Sequence, residues 1–135
     1  MTLFTADFFN AGAQLKRKGE LFDAVIVDPP FFSATGMGTI NLVDESTRVI
    51  NKTRPLVKDG GCLITINNAL FQKGADYLAS LELLCRDGYL AIETIIPVPA
   101  DFTGFPETQV AHPPVDPAPF NHPTKIVVLR VKRKG

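Results

Sequence analysis

Short apolar runs, separated by stretches long enough for a helix, constrain the fold of this chain most. The first run covers residues 22–28 and has a continuous apolar centre at 24–27. Runs of similar character follow at residues 62–67, 89–97 and 125–131. A continuous apolar run fits a parallel strand covered on both faces better than an alternating edge strand. Strands that alternate with helices predict an α/β fold with βαβ units, right-handed crossovers and a mostly parallel sheet of about four strands.

Three segments between these runs have helical character. Helices are predicted at residues 7–18, 41–57 and 72–86. Asp7 is the expected N-cap of the first helix, and Gly19 is expected to end it. In the second helix, apolar pairs recur every seven residues and therefore share one face. Pro55 is a defect near the end of that helix, and Asp59-Gly60-Gly61 is expected to stop it.

Two connections without helical character complete the pattern. Residues 29–40 are predicted to form a loop that contains Gly36 and Gly38. Residues 97–123 hold eight of the 11 prolines, and a connection this long is typical of functional or disordered loops. Since no helix joins the last two strands, the final strand is expected to be antiparallel to its neighbour. That arrangement would place the proline-rich loop 97–123 over the carboxyl ends of the strands, the expected active face.

Composition limits the class of protein. The 135 residues include 14 Lys plus Arg and 14 Asp plus Glu, which indicates one neutral domain and excludes a strongly basic nucleic-acid-binding protein. There is no signal-peptide pattern and no apolar run of the ~18 residues that a membrane span needs, so no membrane partner is expected. The two cysteines, Cys62 and Cys85, are typical of a reducing cytoplasm and exclude a disulfide scaffold. His112 and His122 are too few for a metal site, so no metal is expected.

The segment Asp28-Pro29-Pro30-Phe31 carries the most chemistry, because it follows the first predicted strand. In open α/β sheets, ligands bind beyond the carboxyl ends of the strands. The prolines lack N–H groups, so nearby carbonyls can act as acceptors, and the aromatic ring offers a stacking face for a planar group bearing an NH₂. The alternative interpretation is a strand-ending turn with Phe31 and Phe32 packed in the core.

This segment resembles the Asp/Asn-Pro-Pro-aromatic signature that ends the fourth strand of class I S-adenosylmethionine-dependent methyltransferases. Residues 54–61, RPLVKDGG, look like the turn before the fifth strand of that family, and residues 116–125, DPAPFNHPTK, look like a segment before its last strand. The resemblance is strongest to the bacterial family that includes the large-subunit ribosomal RNA cytosine methyltransferases. It implies a three-layer α/β/α, Rossmann-like fold whose last two strands form a hairpin.

Under this resemblance, the single domain 1–135 corresponds to the carboxyl-terminal half of the methyltransferase fold. The family's first three strands, with the glycine-rich loop and the acidic residue that bind the cofactor, have no counterpart in the sequence. Gly36-Met-Gly38 lacks the helix start and the downstream acid of a nucleotide-binding loop. The strand at 22–28 would then be an exposed apolar edge, so we expect a homodimer that buries this edge or its flanking faces.

The resemblance also implies an activity and a set of roles. The complete enzyme would transfer a methyl group from S-adenosylmethionine, with RNA as the expected substrate. Where the family's cytosine-C5 enzymes carry a nucleophilic Cys, this chain has Asn67-Asn68, which favours methylation of an amino group instead. Catalytic roles fall to Asp28, Pro29, Pro30 and Phe31, with Asp28 also contacting the cofactor. Substrate contacts are expected from Phe32, Asn67, Asn68 and His122.

Non-catalytic interpretations of these residues and of the whole chain stay open. The two asparagines could satisfy backbone groups of a turn, and His122 could be a solvated loop residue. The whole chain could be a non-catalytic binding or assembly module that retains half of the methyltransferase fold, which the lack of a glycine-rich loop favours. A nucleotide binder of another class lacks support, because no loop here can cradle phosphates.

Overall fold

The computed structural model describes residues 3, 5–30, 32–35, 38–69, 72, 74–96 and 125–133, with the backbone alone described at 32–35 and 38–44. The elements in chain order are α1 (Phe8–Lys18), β1 (Phe22–Val27), β2 (Phe32–Thr35), β3 (Gly38–Asn41), α2 (Leu42–Thr53), a 3₁₀ turn (Arg54–Leu56), β4 (Val57–Asn67), α3 (Gly74–Cys85), β5 (Leu90–Ile96) and β6 (Lys125–Val131). No helix within the described ranges is long and apolar enough to cross a membrane.

Four strands form the main sheet, in the order β1-β4-β6-β5. β1 runs parallel to β4, whereas β6 lies between β4 and β5 and is antiparallel to both. Three strands therefore point the same way and β6 alone is reversed. The α/β class, the antiparallel last strand and the pairing of the last two strands are confirmed.

The hydrophobic core lies on one face of this sheet. Leu63 of β4 and Leu129 of β6 are fully buried and pair directly across the strands. Ile50 of α2 and Tyr77 of α3 pack into the same cluster, and Phe8 of α1 packs against it. Burial alternates along β4, because successive side chains point to opposite faces. Within the described residues, the helices thus form one layer on the sheet, which is two of the three layers that the fold class implies.

Residues 29–40 are not simply the predicted loop. β2 and β3 pair as an antiparallel hairpin, from Phe32 opposite Asn41 to Thr35 opposite Gly38. Only two residues separate the strands, which is the commonest length of a hairpin connection. Thr35, Thr39 and Ile40 are β-branched and favour strands, a signal that the glycines nearby obscured.

The second predicted helix ends earlier than expected, and the following strand begins earlier. α2 stops at Thr53, since Pro55 has no N–H to continue the helical ladder, and the chain tightens into the 3₁₀ turn. Gly60 and Gly61 lie inside β4 rather than in a turn before it. The β1–β4 register jumps there, from Phe22 opposite Val57 to Ala24 opposite Cys62. The glycine pair therefore lies in a bulge-like irregularity of the β1–β4 ladder, in which β4 holds three extra residues, and this irregularity is called the bulge below.

Geometry explains why glycine occupies both bulge positions. Gly60 has a φ of 72°, which side-chain-bearing residues rarely adopt. A Cβ on Gly61 would lie 2.7 Å from the carbonyl oxygen of Asp23 and 2.8 Å from Cγ1 of Val57. β1 can thus approach β4 this closely only because position 61 carries no side chain.

β1 is the open edge of the sheet, as predicted, and within the described ranges it pairs with β4 alone. The expectation that both of its faces are covered is wrong. Val27 is buried, but Ala24 is exposed and Ile26 is 65% exposed, because these two side chains point to the face without a described helix. Whether a second copy covers this edge stays a prediction.

The ends of α1 and the bounds of β6 match their predictions. The Asp7 carboxylate accepts hydrogen bonds from the backbone N–H groups of Phe9 and Asn10, at 3.0 and 3.1 Å. Gly19 closes the helix in the left-handed conformation with a φ of 69°. The proline-rich loop predicted at 97–123 lies outside the described residues.

Candidate functional site

Asp28 and Asn68 meet at the carboxyl edge of the sheet. Asp28 directly follows β1 and Asn68 directly follows β4, and these two strands are parallel neighbours with Val27 opposite Thr65. Because parallel strands end at the same edge, their following residues come together. The Asn68 amide Nδ2 donates a hydrogen bond of 2.9 Å to Oδ1 of Asp28.

Among the described residues, only one oxygen of the Asp28 carboxylate has a hydrogen-bond partner. The side chain is exposed, and no described residue donates a hydrogen bond to Oδ2. A carboxylate held through one oxygen has a defined orientation, and its second oxygen can accept a hydrogen bond from a bound N–H or O–H group. Asn68 therefore positions Asp28, a relation that neither residue type nor spacing reveals without the parallel register of β1 and β4.

Asn67 has a different role from its neighbour. It is fully buried, its Nδ2 donates to Oε1 of Gln72 at 2.8 Å, and its Oδ1 accepts from the backbone N–H of Ala69 at 2.8 Å. Lys125 of β6 adds a hydrogen bond of 2.9 Å to the Ala69 carbonyl. Both ends of the Asn67 amide hold the turn after β4, so the geometry favours the turn-satisfying alternative for this residue.

The remaining predicted site residues are only partly placed. Pro29 and Pro30 follow Asp28 and line a groove with it. Phe32 begins β2, and its side chain is not described. Phe31 and His122 lie outside the described residues, so their predicted roles stay predictions.

The groove beside Asp28 has a volume of about 1020 Å³. Its walls are α1, β1 and α2, with the apolar side chains Phe8, Leu15 and Val25 along its length. Lys16 and Lys52 are basic groups on its walls, and Asp28 is the one acidic residue among the described residues that line it. The volume is at the upper end of ordinary ligand pockets, which span roughly 300–1,000 Å³.

The right-handedness of crossover connections explains where this groove lies. α1 contacts α2 and the 3₁₀ turn, so both helices belong to the same layer on the same face. Successive right-handed crossovers with helices on one face move along a sheet in one direction. A strand placed before α1 would therefore lie beside β1, on the side away from β4. The groove runs along that open position.

The cysteines do not contribute to the site. Cys85 lies in α3, and burial raises the pKa of its thiol, which lowers its reactivity. Cys62 lies in β4, five residues before the strand ends. Neither thiol can act as a nucleophile beside Asp28, in agreement with the preference for chemistry without a covalent cysteine.

No protein-family model and no curated protein matches the chain. Several solved structures, however, are similar to it in fold. The crystal structure of SMU.776, described as a candidate methyltransferase complexed with SAH, has a TM-score of 0.73 and 16% identity, over 94% of this chain and 30% of that one. A candidate SAM-dependent methyltransferase from Streptococcus mutans has a TM-score of 0.69 and 15% identity, again over 94% and 30%. M1.HpyAVI, solved as a complex with SAM, has a TM-score of 0.53 and 14% identity, over 98% and 53%.

The fold is therefore that of a portion of SAM-dependent methyltransferase structures, as the Asp28-Pro29-Pro30 motif and the reversed last strand indicated. At these identities the likeness defines the fold. The chain spans less than a third of the length of the SMU.776 structure that it matches.

Proposed function

We propose that this chain is part of an S-adenosylmethionine-dependent methyltransferase and carries the edge of the active site that holds the methyl acceptor. One observation carries the proposal. Asp28, held by Asn68, stands at the carboxyl ends of two parallel strands and is followed by Pro29-Pro30, within a fold similar to that of the SMU.776 structure. Ligands of open α/β sheets bind at this edge.

The cofactor fits the described residues in part. The apolar groove beside Asp28 has room for a nucleoside-sized ligand. Neither a glycine-rich turn nor a second acidic group for a ribose is among the described residues of the groove. Asp28 and Pro29 would thus contact the methyl-bearing end, and the isolated chain is expected to bind the cofactor weakly. When bound, S-adenosylmethionine supplies the electrophilic methyl group.

The acceptor that suits this site is an amine. Oδ2 of Asp28 accepts a hydrogen bond from one N–H of the amine and so directs its lone pair, which is how orientation lowers the barrier of a methyl transfer. Pro29 and Pro30 have no N–H groups, so the backbone at these two positions offers carbonyl acceptors and no competing donor. As the nitrogen–carbon bond forms, the carbon–sulfur bond would break and S-adenosylhomocysteine would leave. The proton that the methylated nitrogen loses would pass to Oδ2 of Asp28 or to solvent, and no covalent adduct with the protein is required.

RNA is the proposed class of substrate. An exposed base is a planar amine donor, and bases outside a helix are recognised by stacking and by hydrogen bonds to their edges. Lys16 and Lys52 on the groove walls would attract the phosphates of such a strand. Net neutrality limits this to a local contribution.

Calorimetric titration of the chain with S-adenosylmethionine and S-adenosylhomocysteine tests the proposal. We expect saturable binding that Asp28→Ala abolishes and that Asp76→Ala, a change on the exposed surface of α3, leaves unchanged. Binding unaffected by Asp28→Ala would contradict the placement of the site.

A second candidate function has its own support. Because the described groove residues include no glycine-rich turn and no second acidic group for the ribose of the cofactor, a non-catalytic binding or assembly module fits them as well. Absence of binding at millimolar concentrations of both ligands, with the fold intact by circular dichroism, would favour this module over the enzyme.

A further inference from the structure

A second cavity lies at the edge of the sheet opposite to Asp28, where β4 and β5 begin and β6 ends. Its volume is about 200 Å³. The residues that line this basic cavity are Arg54, Pro55, Tyr89, Val131, Lys132 and Arg133. They come from the 3₁₀ turn, from the residue before β5 and from the end of β6 with the two residues that follow it. Three of these lining residues are cations, and none of those described is acidic.

Arg54 is held in the wall of the basic cavity. Its Nη1 donates a hydrogen bond of 2.8 Å to Oδ2 of Asp87, and its guanidinium carbon lies 5.7 Å from the centre of the Tyr89 ring. The other oxygen of Asp87 accepts from the backbone N–H of Tyr89 at 2.9 Å, so one carboxylate orients both walls. The Arg54 side chain is only 21% exposed. A group that is already positioned loses little conformational freedom when a ligand binds.

Arg133 is anchored through one part of its guanidinium group. Its Nη1 donates to the carbonyl oxygens of Pro55 and Val57, at 3.0 and 3.2 Å. Among the described residues, its Nε and Nη2 have no acceptor. These N–H groups lie in the plane of the guanidinium and form the fork that binds two oxygens of a phosphate group. The anchored nitrogen fixes the orientation of that fork.

The charge and size of the basic cavity define the class of ligand. Asp87 offsets the charge of Arg54, whereas no described carboxylate forms an ion pair with the side chain of Lys132 or Arg133. Asp59 accepts a hydrogen bond of 2.8 Å from the backbone N–H of Arg133, and even with this carboxylate the cations are in excess. The volume is below the roughly 300–1,000 Å³ of ordinary ligand pockets. A single phosphate group therefore fits better than a whole nucleotide.

We propose that the basic cavity binds a backbone phosphate of an RNA substrate, far from the site of methyl transfer. The choice of RNA as the source of the phosphate rests on the proposed function. From Val57 to Asn67, β4 spans roughly 30 Å, at about 3.3 Å per residue. A nucleotide at Asp28 cannot reach the cavity, but a polymer can contact both edges. The Tyr89 ring beside the cations is the combination of stacking face and charge that suits a single strand.

Fluorescence anisotropy of a labelled single-stranded RNA, titrated with the full chain from about 50 to about 200 mM salt, tests this contact. Each neutralised phosphate contributes roughly 0.7 to the slope of log affinity against log salt concentration. Lys132→Gln and Arg133→Gln should each lower the slope by that amount and weaken binding about eightfold at about 50 mM salt. Arg17→Gln removes the same charge from the exposed end of α1, outside both cavities, and should change the affinity by less than about twofold.

Two further variants separate phosphate binding from a loss of structure. Arg133→Lys keeps the charge without the fork, so it should retain the salt slope and bind RNA more tightly than Arg133→Gln does. Lys132 is exposed, and its side chain has no described hydrogen bond, so Lys132→Gln should leave the fold unchanged. Circular dichroism would establish that every variant folds.

Four results would overturn the proposal. The first is that the native chain does not bind the RNA at about 50 mM salt. The second is that Lys132→Gln and Arg133→Gln bind as the native chain does, and the third is that Arg17→Gln weakens binding as much as they do. The fourth is that inorganic phosphate binds as tightly as the RNA, which would identify a site for free phosphate instead of a polymer.

Cofactor binding separates this proposal from the proposed function. If the chain binds RNA through Lys132 and Arg133 but shows no Asp28-dependent binding of S-adenosylhomocysteine, the methyltransferase role is refuted and the phosphate contact stands. If cofactor binding depends on Asp28 but both variants bind RNA normally, the phosphate contact is refuted and the methyltransferase role stands.

Discussion

Tyr77 is the buried polar group whose energetics can be worked out most fully. Its hydroxyl lies 2.9 Å from Oγ1 of Thr65, and both residues are buried. Tyr77→Phe keeps the ring but leaves the Thr65 hydroxyl without this partner. An unsatisfied buried hydroxyl costs about 1–3 kcal/mol, so the variant should unfold with that much less free energy at pH 7.5. For a chain of this length each kcal/mol lowers the Tm by roughly 3–5 °C.

The same residue makes the free energy of unfolding depend on pH in alkaline solution. Burial raises the pKa of Tyr77 to about 12, from the ordinary value of 10.0. A raised pKa in the folded state means that the stabilisation is complete below pH 10 and is lost as the pH rises through 12. Two pKa units correspond to about 2.7 kcal/mol. Tyr77→Phe cannot lose this contribution, so its deficit relative to the native chain should shrink by about 1.4 kcal/mol at pH 11 and by about 2.3 kcal/mol at pH 12.

Urea unfolding at pH 7.5, 10, 11 and 12 measures both effects, with Tyr89→Phe as the matched control at a half-buried tyrosine. A double-mutant cycle with Thr65→Val isolates the hydrogen bond and should give a coupling of about 1 kcal/mol. Parallel stability curves for the native chain and Tyr77→Phe between pH 10 and pH 12 would refute the assigned burial. Coupling below about 0.3 kcal/mol would refute the hydrogen bond.

Three further predictions concern the turn, the bulge and the first helix. Asn67→Ala should cost about 1–3 kcal/mol in urea unfolding, because it leaves the buried backbone N–H of Ala69 without its acceptor. Asn68→Ala should cost less stability than Asn67→Ala and weaken ligand binding at Asp28. Gly61→Ala should cost about 1–3 kcal/mol through backbone overlap, while Gly12→Ala, which has open space in a helix, should stabilise by up to about 1 kcal/mol. Hydrogen bonding to the backbone of Asn10 lowers the pKa of Asp7, so its contribution is present above pH 3.8 and is lost as the pH falls further; far-ultraviolet circular dichroism from pH 6 to pH 2 should show a larger loss of helix in the native chain than in Asp7→Ala.

The sequence predicts most accurately the elements whose ends carry capping residues. Asp7 and Gly19 bracket α1 because capping depends on neighbouring backbone groups alone. The bulge at Gly60-Gly61 escaped prediction, since its cause is the approach of Asp23 in another strand. Glycine in the sequence indicated a turn, and only the tertiary contact distinguishes a turn from a bulge.

The residues of the candidate site also divide into those whose placement the sequence predicts and those whose placement depends on tertiary structure. The position of Asp28 at the carboxyl end of β1 was predictable, because the motif directly follows an apolar run. The different fates of Asn67 and Asn68 were not, because consecutive residues of a strand point to opposite sides and the register decides which one faces Asp28. The exposure of Ile26 likewise depends on which face the helices cover, which composition cannot tell.

α1 is bound to the rest of the molecule differently from the other helices. It has no fully buried residue, although both of its ends are capped. Its persistence rests on its own caps, on the partly buried Phe8 and Phe9 that pack against the core, and on contacts such as Arg48 over the Phe9 ring at 4.9 Å. Amide hydrogens of α1 should therefore exchange with solvent by local opening, far faster than those of β4 and β6, which exchange only with global unfolding. Occupancy of the groove that α1 lines would become visible as slower amide exchange in this helix.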